Sequence, residues 1–172
     1  AKEVGLSKEK ITSSLKDFKP AFGRQEILDI NGKKVQIFLS KNPTSFNESL
    51  RTVVSIKGKN LLIVLNDKVP DGRDVSWIWD VDFEEFVSKF KNITVSGDRV
   101  YDIALRLKYA FGTQNSNVKS QNYNSKFKTY GNLKEAINES LKLLSENETL
   151  YVLPTYSAML EVRKILTGRK IL

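Results

Sequence analysis

The chain has 172 residues, with 28 lysines and arginines against 20 acidic residues and a formal charge of +8. It has no histidine and no cysteine, so by itself it builds no Ser-His-Asp triad, no Cys-His pair, no disulfide framework and no zinc site of the usual ligands. The length suits one domain with a real core, no apolar run approaches a membrane helix, and the scattered basic residues read as a solvated surface rather than a nucleic-acid face.

Residues 7–18 predict a short helix, with Ser7 as N-cap, Ile11, Leu15 and Phe18 on one face, and Pro20 ending it. Ile27–Ile30, Asn31-Gly32 and Val35–Leu39 predict a hairpin, because Asn-Gly between apolar runs favours a two-residue turn. A helix follows over 45–56, with Phe46, Leu50, Val53 and Val54 inward and Gly58 closing it. Leu61–Leu65 is short and apolar enough for a buried strand. Pro70 and Asp71-Gly72 then force a turn.

Both tryptophans, Trp77 and Trp79, come next, and four aspartates lie between Asp71 and Asp82. Asp82 is placed to cap a helix running to Phe90, with Phe83, Phe86, Val87 and Phe90 inward. A strand at 93–95, a sharp junction at Ser96-Gly97-Asp98-Arg99 and a helix over 100–110 follow. Residues 113–125 are polar and Asn-rich, as in a loop, and 126–130 alternate like an edge strand. A helix over 133–144, a buried strand over 150–153 and a helix over 155–166 complete the chain.

Strands alternating with helices predict an α/β fold: a mainly parallel, Rossmann-like sheet with helices on both faces and an antiparallel N-terminal β-hairpin, in one domain over 1–172. Ligand sites in such sheets lie at the carboxyl ends of the strands. The junctions at 40–45, 66–82, 96–99 and 154–156 therefore gather Lys41, Asn42, Asp71, Arg73, Asp74, Asp80, Asp98, Arg99 and Tyr156 on one rim. The two arginines and the lysine are suited to a phosphate or carboxylate. The aromatic–acidic stretch admits two readings: a docking or ligand loop, or tryptophans that only pin a connector while aspartates cap turns. Neither a Walker A loop nor a G-x-G-x-x-G fingerprint is present, so a nucleotide is expected to be touched from the side.

The segment Leu15-Lys16-Asp17-Phe18-Lys19-Pro20-Ala21-Phe22-Gly23-Arg24-Gln25-Glu26 resembles the lead into the C-terminal domains of Mur ligases and folylpolyglutamate synthases. Four stretches are more specific and resemble the MurT family. They are Lys41-Asn42-Pro43-Thr44-Ser45-Phe46-Asn47-Glu48, Asp71-Gly72-Arg73-Asp74-Val75-Ser76-Trp77-Ile78-Trp79-Asp80, Ser96-Gly97-Asp98-Arg99 with Arg106-Leu107-Lys108-Tyr109-Ala110, and Leu153-Pro154-Thr155-Tyr156-Ser157-Ala158-Met159-Leu160. Phe38-Leu39-Ser40-Lys41 stands where many Mur ligases carry Asp-Tyr-Ala-His.

The resemblance implies part of an ATP-dependent amidotransferase that converts the D-glutamate of the lipid II stem peptide to D-isoglutamine. It implies a GatD-type class I glutaminase partner that supplies ammonia, and a cytoplasmic enzyme acting at the inner face of the membrane. An aspartate of this domain is implied to complete the partner's Cys-His pair: Asp80 first, Asp74 second, with Trp77 and Trp79 at the interface. Lys41, Asn42, Asp71, Arg73, Asp98 and Arg99 are expected to face nucleotide or substrate, and no metal is expected here. ATP and Mg2+ are assigned mainly to a central domain that this sequence lacks, and zinc likewise lies outside it. The chain is thus expected to be one excised domain, inactive alone. A Mur or folylpolyglutamate synthase-like amide ligase without a glutaminase partner is the alternative.

Overall fold

A computed structural model describes residues 2–16, 23–113 and 127–169. Phe18, the loop expected over 113–125 and the start of the strand expected at 126 lie partly or wholly outside the described residues.

The chain order is α1 (Lys8–Lys16), β1 (Arg24–Ile30), β2 (Lys33–Phe38), α2 (Pro43–Ser55), β3 (Asn60–Val64), α3 (Phe83–Phe86), β4 (Asn92–Ser96), α4 (Val100–Thr113), β5 (Lys128–Thr129), α5 (Leu133–Lys142), β6 (Thr149–Pro154) and α6 (Tyr156–Thr167). Asn31 and Gly32 take left-handed φ values of 52° and 79°, which turn β1 back onto β2 as an antiparallel pair. The six strands lie in the order β1-β2-β6-β3-β4-β5, and every pair but the first is parallel.

Alternation along the central strand assigns the two faces. Leu61, Ile63 and Leu65 enter a cluster with Phe46, Leu50, Phe83, Phe86, Ile103 and Leu107, so α2, α3 and α4 cover that face. Leu62 and Val64 enter a second cluster with Ala136, Ile137, Met159 and Val162, so α5 and α6 cover the other. The expected α/β sandwich is therefore the observed one. All five parallel strands end on one rim, and the chain leaves β3 toward β4 and β5 before returning to β6 on the opposite flank. The switch point thus lies between β3 and β6.

Four details differ from expectation. The helix expected from 82 to 90 is one α-turn, α3, followed by a 3₁₀ turn over Val87–Lys89. Asp82 does not cap it, since its side chain is drawn to Asn47 of α2. The left-handed residue closing α2 is Lys57, at φ 60°, not Gly58. Gly58 is required for packing instead, because a Cβ there would lie 2.5 Å from Val53 and 2.6 Å from the Tyr151 ring. α1 starts as expected, with the Lys10 N–H on Ser7 Oγ, but none of its residues is buried and Leu15 is 67% exposed.

Gly97, just past β4, carries φ 107°, and a Cβ there would meet the Leu65 carbonyl oxygen at 2.4 Å and Asn66 Oδ1 at 2.8 Å. Backbone cannot swing aside as a flexible side chain can. Gly97→Ala is expected to cost about 3 kcal/mol or more, from strain plus overpacking. Urea unfolding measures it, and a loss below about 1 kcal/mol would contradict this close approach.

Candidate functional site

Two residues past β3 the chain buries Asn66, whose polar groups tie three strand ends together. Its Nδ2 donates to Ser157 Oγ at 3.3 Å, its Oδ1 accepts from the Asp98 backbone at 2.9 Å, and its own N–H donates to Thr155 Oγ1 at 3.1 Å. Thr155 is the N-cap residue of α6, but it makes no side-chain cap bond. Asp71 fills that role from the loop. Its Oδ1 accepts from the Ser157 N–H at 2.8 Å, and the Ser157 hydroxyl donates to Oδ2. A carboxylate thus sits at the positive end of α6, where an anionic ligand is otherwise favoured. The switch-point crevice is occupied by the chain's own groups, and Asp71 holds the loop.

The rim cations do not converge. Arg99 donates to Asp102 through Nε at 2.8 Å and Nη2 at 3.0 Å, and to Asp67 through Nη1 at 3.1 Å. Asp102 first, then Asp67, raises its pKa above the ordinary arginine value, and Arg99 in turn lowers that of Asp102. Lys68 pairs with Glu161 and lies 3.9 Å from Asp98. Since β6 and β3 separate β2 from β4, the strands that lead to Lys41 and Arg99 lie three strand spacings, about 14 Å, apart. One anion held by both is not what the rim provides. Arg73 is exposed on the loop that follows β3, and Tyr156 is exposed at the start of α6.

A pocket of about 300 Å³ opens at the end of β2, lined among others by Arg24, Lys41, Asn42 and Ser45. Asn42 is committed to α2: its Oδ1 accepts from the Ser45 N–H at 2.8 Å, and its N–H donates to Ser45 Oγ at 3.2 Å. This is a reciprocal cap. Lys41 is exposed beside it, and Arg24 reaches the same pocket next to a β1 irregularity where Gln25 takes φ 60°. Among the described residues its lining holds two cations and no carboxylate, so it favours an anionic group.

The aromatic–acidic loop runs along the α2–α4 face. Asp74 Oδ1 accepts from the Ser76 N–H at 2.8 Å, and that bond lowers its pKa. Residues Ser76–Asp80 form a 3₁₀ turn that buries Ile78. Trp77 packs on Phe46 with ring centres 5.8 Å apart. Trp79 is half exposed, edge-on to Tyr109 at 5.5 Å, and its ring lies 5.6 Å from the Arg106 guanidinium.

Arg106 is buried and forks onto both Glu84 oxygens at 2.6 and 2.7 Å, while donating to the Val81 carbonyl at 2.6 Å. Asp82 and Asn47 exchange two hydrogen bonds, at 2.7 and 3.0 Å. Every acid of the loop is thereby engaged except Asp80, which is exposed and has no hydrogen-bond or ion-pair partner among the described residues.

Sequence reasoning missed Asn66, Arg24 and the role of Arg106. For Arg106 a signal existed: with Ile103, Leu107 and Ala110 it falls at i, i+3, i+4, i+7, a charge on a core stripe that demands a partner. For Asn66 none existed, since a polar residue after a strand is ordinary. Among the described residues no three carboxylates gather to hold a metal ion, and no helix is long and apolar enough to cross a membrane.

A family profile described as MurT ligase C-terminal matches residues 39–159. The lipid II isoglutaminyl synthase (glutamine-hydrolyzing) subunit MurT of Streptococcus pneumoniae (strain ATCC BAA-255 / R6) is 30% identical over 173 residues, covering 99% of this chain and 36% of that protein. The subunit of the same name from Staphylococcus aureus (strain COL) is 35% identical over 111 residues, or 63% of this chain and 25% of that one. The chain therefore spans only a quarter to about a third of these relatives. Among solved structures, Mycobacterium tuberculosis folylpolyglutamate synthase complexed with ADP superposes with a TM-score of 0.64 at 16% identity, covering 96% of this chain and 36% of that one. MurF from Acinetobacter baumannii gives 0.60 at 16% identity, covering 96% and 34%. At those identities the likeness is one of fold.

Proposed function

The chain belongs to the MurT ligase C-terminal family, and from that premise we propose that it is the C-terminal domain of a glutamine-dependent, ATP-driven amidotransferase acting on lipid II. The full enzyme activates the α-carboxylate of the stem-peptide D-glutamate as an acyl phosphate. Ammonia released from glutamine by a GatD-type glutaminase displaces the phosphate and leaves D-isoglutamine. The reaction runs on the cytoplasmic side of the membrane, where the headgroup of lipid II is presented.

This domain has two tasks in that enzyme. It closes over the nucleotide and substrate from the side, with Lys41 and Arg24 offering charge to an anionic group at the end of β2. ATP and its Mg2+ are held mainly elsewhere in the enzyme. It also docks the glutaminase and lends a carboxylate to the partner's Cys-His pair. In that position an aspartate accepts from the imidazole, fixes its tautomer and stabilises the imidazolium.

Asp80 carries the proposal. It is the acid of its loop left without a partner among the described residues, in a chain that has carboxylates but neither imidazole nor thiol. Asp74, the second choice, already holds the Ser76 amide.

The test is a labelling experiment on the full-length enzyme assembled with its glutaminase and given ATP, lipid II and amide-15N glutamine. The expected product carries the label as a primary amide, and without the glutaminase it forms only when free ammonia is supplied. Product formed from an amino acid as nucleophile, with or without the glutaminase, would instead favour an amide ligase that has no such partner.

A further inference from the structure

Asp80 is exposed and makes no hydrogen bond or ion pair among the described residues, so only its backbone fixes where its carboxylate lies. It is the last residue of the Ser76–Asp80 turn, and one side chain holds both of its neighbours. On one side the Trp79 ring lies 5.6 Å from the Arg106 guanidinium and meets Tyr109 edge-on. On the other, Arg106 Nη2 donates to the Val81 carbonyl at 2.6 Å, and the Phe83 N–H donates to the same oxygen at 2.8 Å. Glu84 accepts from Nη1 and Nη2 and so fixes the plane of the guanidinium, which the Phe83 ring backs at 5.4 Å.

Stability alone does not account for a guanidinium in the core stripe of α4. Its Nε–H is buried without an acceptor among the described residues, which costs free energy. A planar cation with a fixed fork of donors supplies geometry instead, because it holds a ring, a carbonyl and a carboxylate at once.

We infer that Arg106 is a positioning residue for Asp80: by holding the Trp79 ring and the Val81 carbonyl, it presents the carboxylate between them in one orientation. The inference rests on the function proposed above, in which Asp80 accepts from an imidazole of the glutaminase, and names the residue that aims that acceptor. A turn free to swing would offer the carboxylate in many geometries and hold the imidazole tautomer in few of them. A misplacement of about 1 Å costs about 10²-fold in rate. Ile78 and Val81 are buried and keep the turn seated on the core without Arg106, so the loss is one of aim and not of the loop itself.

The experiment uses the full-length enzyme with its glutaminase at saturating concentration. Arg106→Met, whose side chain still fills space beneath Trp79, is expected to lower kcat for glutamine hydrolysis by about 10²-fold. The KM for glutamine should not change, since glutamine binds on the partner, and amidation from free ammonia should keep its parental rate. Arg106→Lys keeps the charge beside Glu84 but gives up the fork, so it should lose less. The double variant separates positioning from mere support: Arg106→Met added to Asp80→Asn should lower kcat no further than Asp80→Asn alone, because the arginine acts through the aspartate. Gly58→Ala, which overpacks Val53 and Tyr151 just before β3, is the control for instability and should hydrolyse glutamine at the parental rate. Parental kcat in both Arg106 variants, with Asp80→Asn inactive, would overturn the positioning role and leave the function standing. An additive loss in the double variant, or an equal loss in Gly58→Ala, would do the same. Parental hydrolysis by Asp80→Asn would remove the acid itself and leave Arg106 nothing to position.

Discussion

In the assembled enzyme, Asp80→Asn is expected to depress glutamine hydrolysis by about 10⁴-fold, the loss seen when the acid of a triad becomes an amide. The geometry makes the substitution clean. Asp80 makes no hydrogen bond or ion pair among the described residues, so no internal bond of the fold is lost and the melting temperature should not move. Asparagine keeps the volume but offers an N–H where the imidazole also presents an N–H, so the histidine turns or adopts the unproductive tautomer. Amidation driven by free ammonia should persist, because the acyl phosphate forms on other residues. Asp74→Asn is the control: its Oδ1 can still accept from Ser76, and hydrolysis should remain near parental. Parental hydrolysis by Asp80→Asn would pass the role to Asp74.

The second large effect concerns the clamp beneath Trp79. Glu84→Gln is expected to destabilise the domain by about 3–5 kcal/mol, because it strands a guanidinium that is buried on all sides. Arg106→Met should cost less, about 2 kcal/mol, since the Glu84 carboxylate is more than a third exposed and turns to water, which screens the loss. That asymmetry, read by urea unfolding, distinguishes a buried-charge effect from mere loss of packing, for which the larger truncation would cost more.

Acid provides an independent readout of the clamp. The hydrogen bond from Arg106 holds the folded pKa of Glu84 below its ordinary value of 4.5. The pair therefore contributes fully above that value, and its contribution fades as pH falls through the folded pKa. Glu84→Gln should flatten this part of the acid limb, whereas an unchanged acid limb would remove the pair from the account.

The alternation of apolar strands with amphipathic helices reveals most of the fold, because burial of one face imposes a period on the residues themselves. Asn31-Gly32 reveals the hairpin for the same local reason, as a left-handed turn tolerates few other pairs. The helix expected over 82–90 breaks down for the opposite reason. Its inward residues Phe83, Phe86, Val87 and Phe90 are all buried as the pattern requires, yet the backbone satisfies that burial with a short turn and a 3₁₀ segment. Periodicity over two turns cannot separate the two.

Composition by itself determined the central chemical constraint. A chain without imidazole or thiol can lend acids and cations but cannot complete a nucleophilic dyad. Composition also singled out the stretch where those acids accompany both tryptophans. Only the tertiary structure decided which acids are engaged. Asp71 meets Ser157 eighty-six positions along the chain, Asp67 and Asp102 converge on Arg99, and Asp82 meets Asn47 thirty-five positions back. Those pairings are set by which strand ends and helices become neighbours on the rim. The carboxylate of that loop left over among the described residues, Asp80, can be recognised only once the others of the loop have been matched.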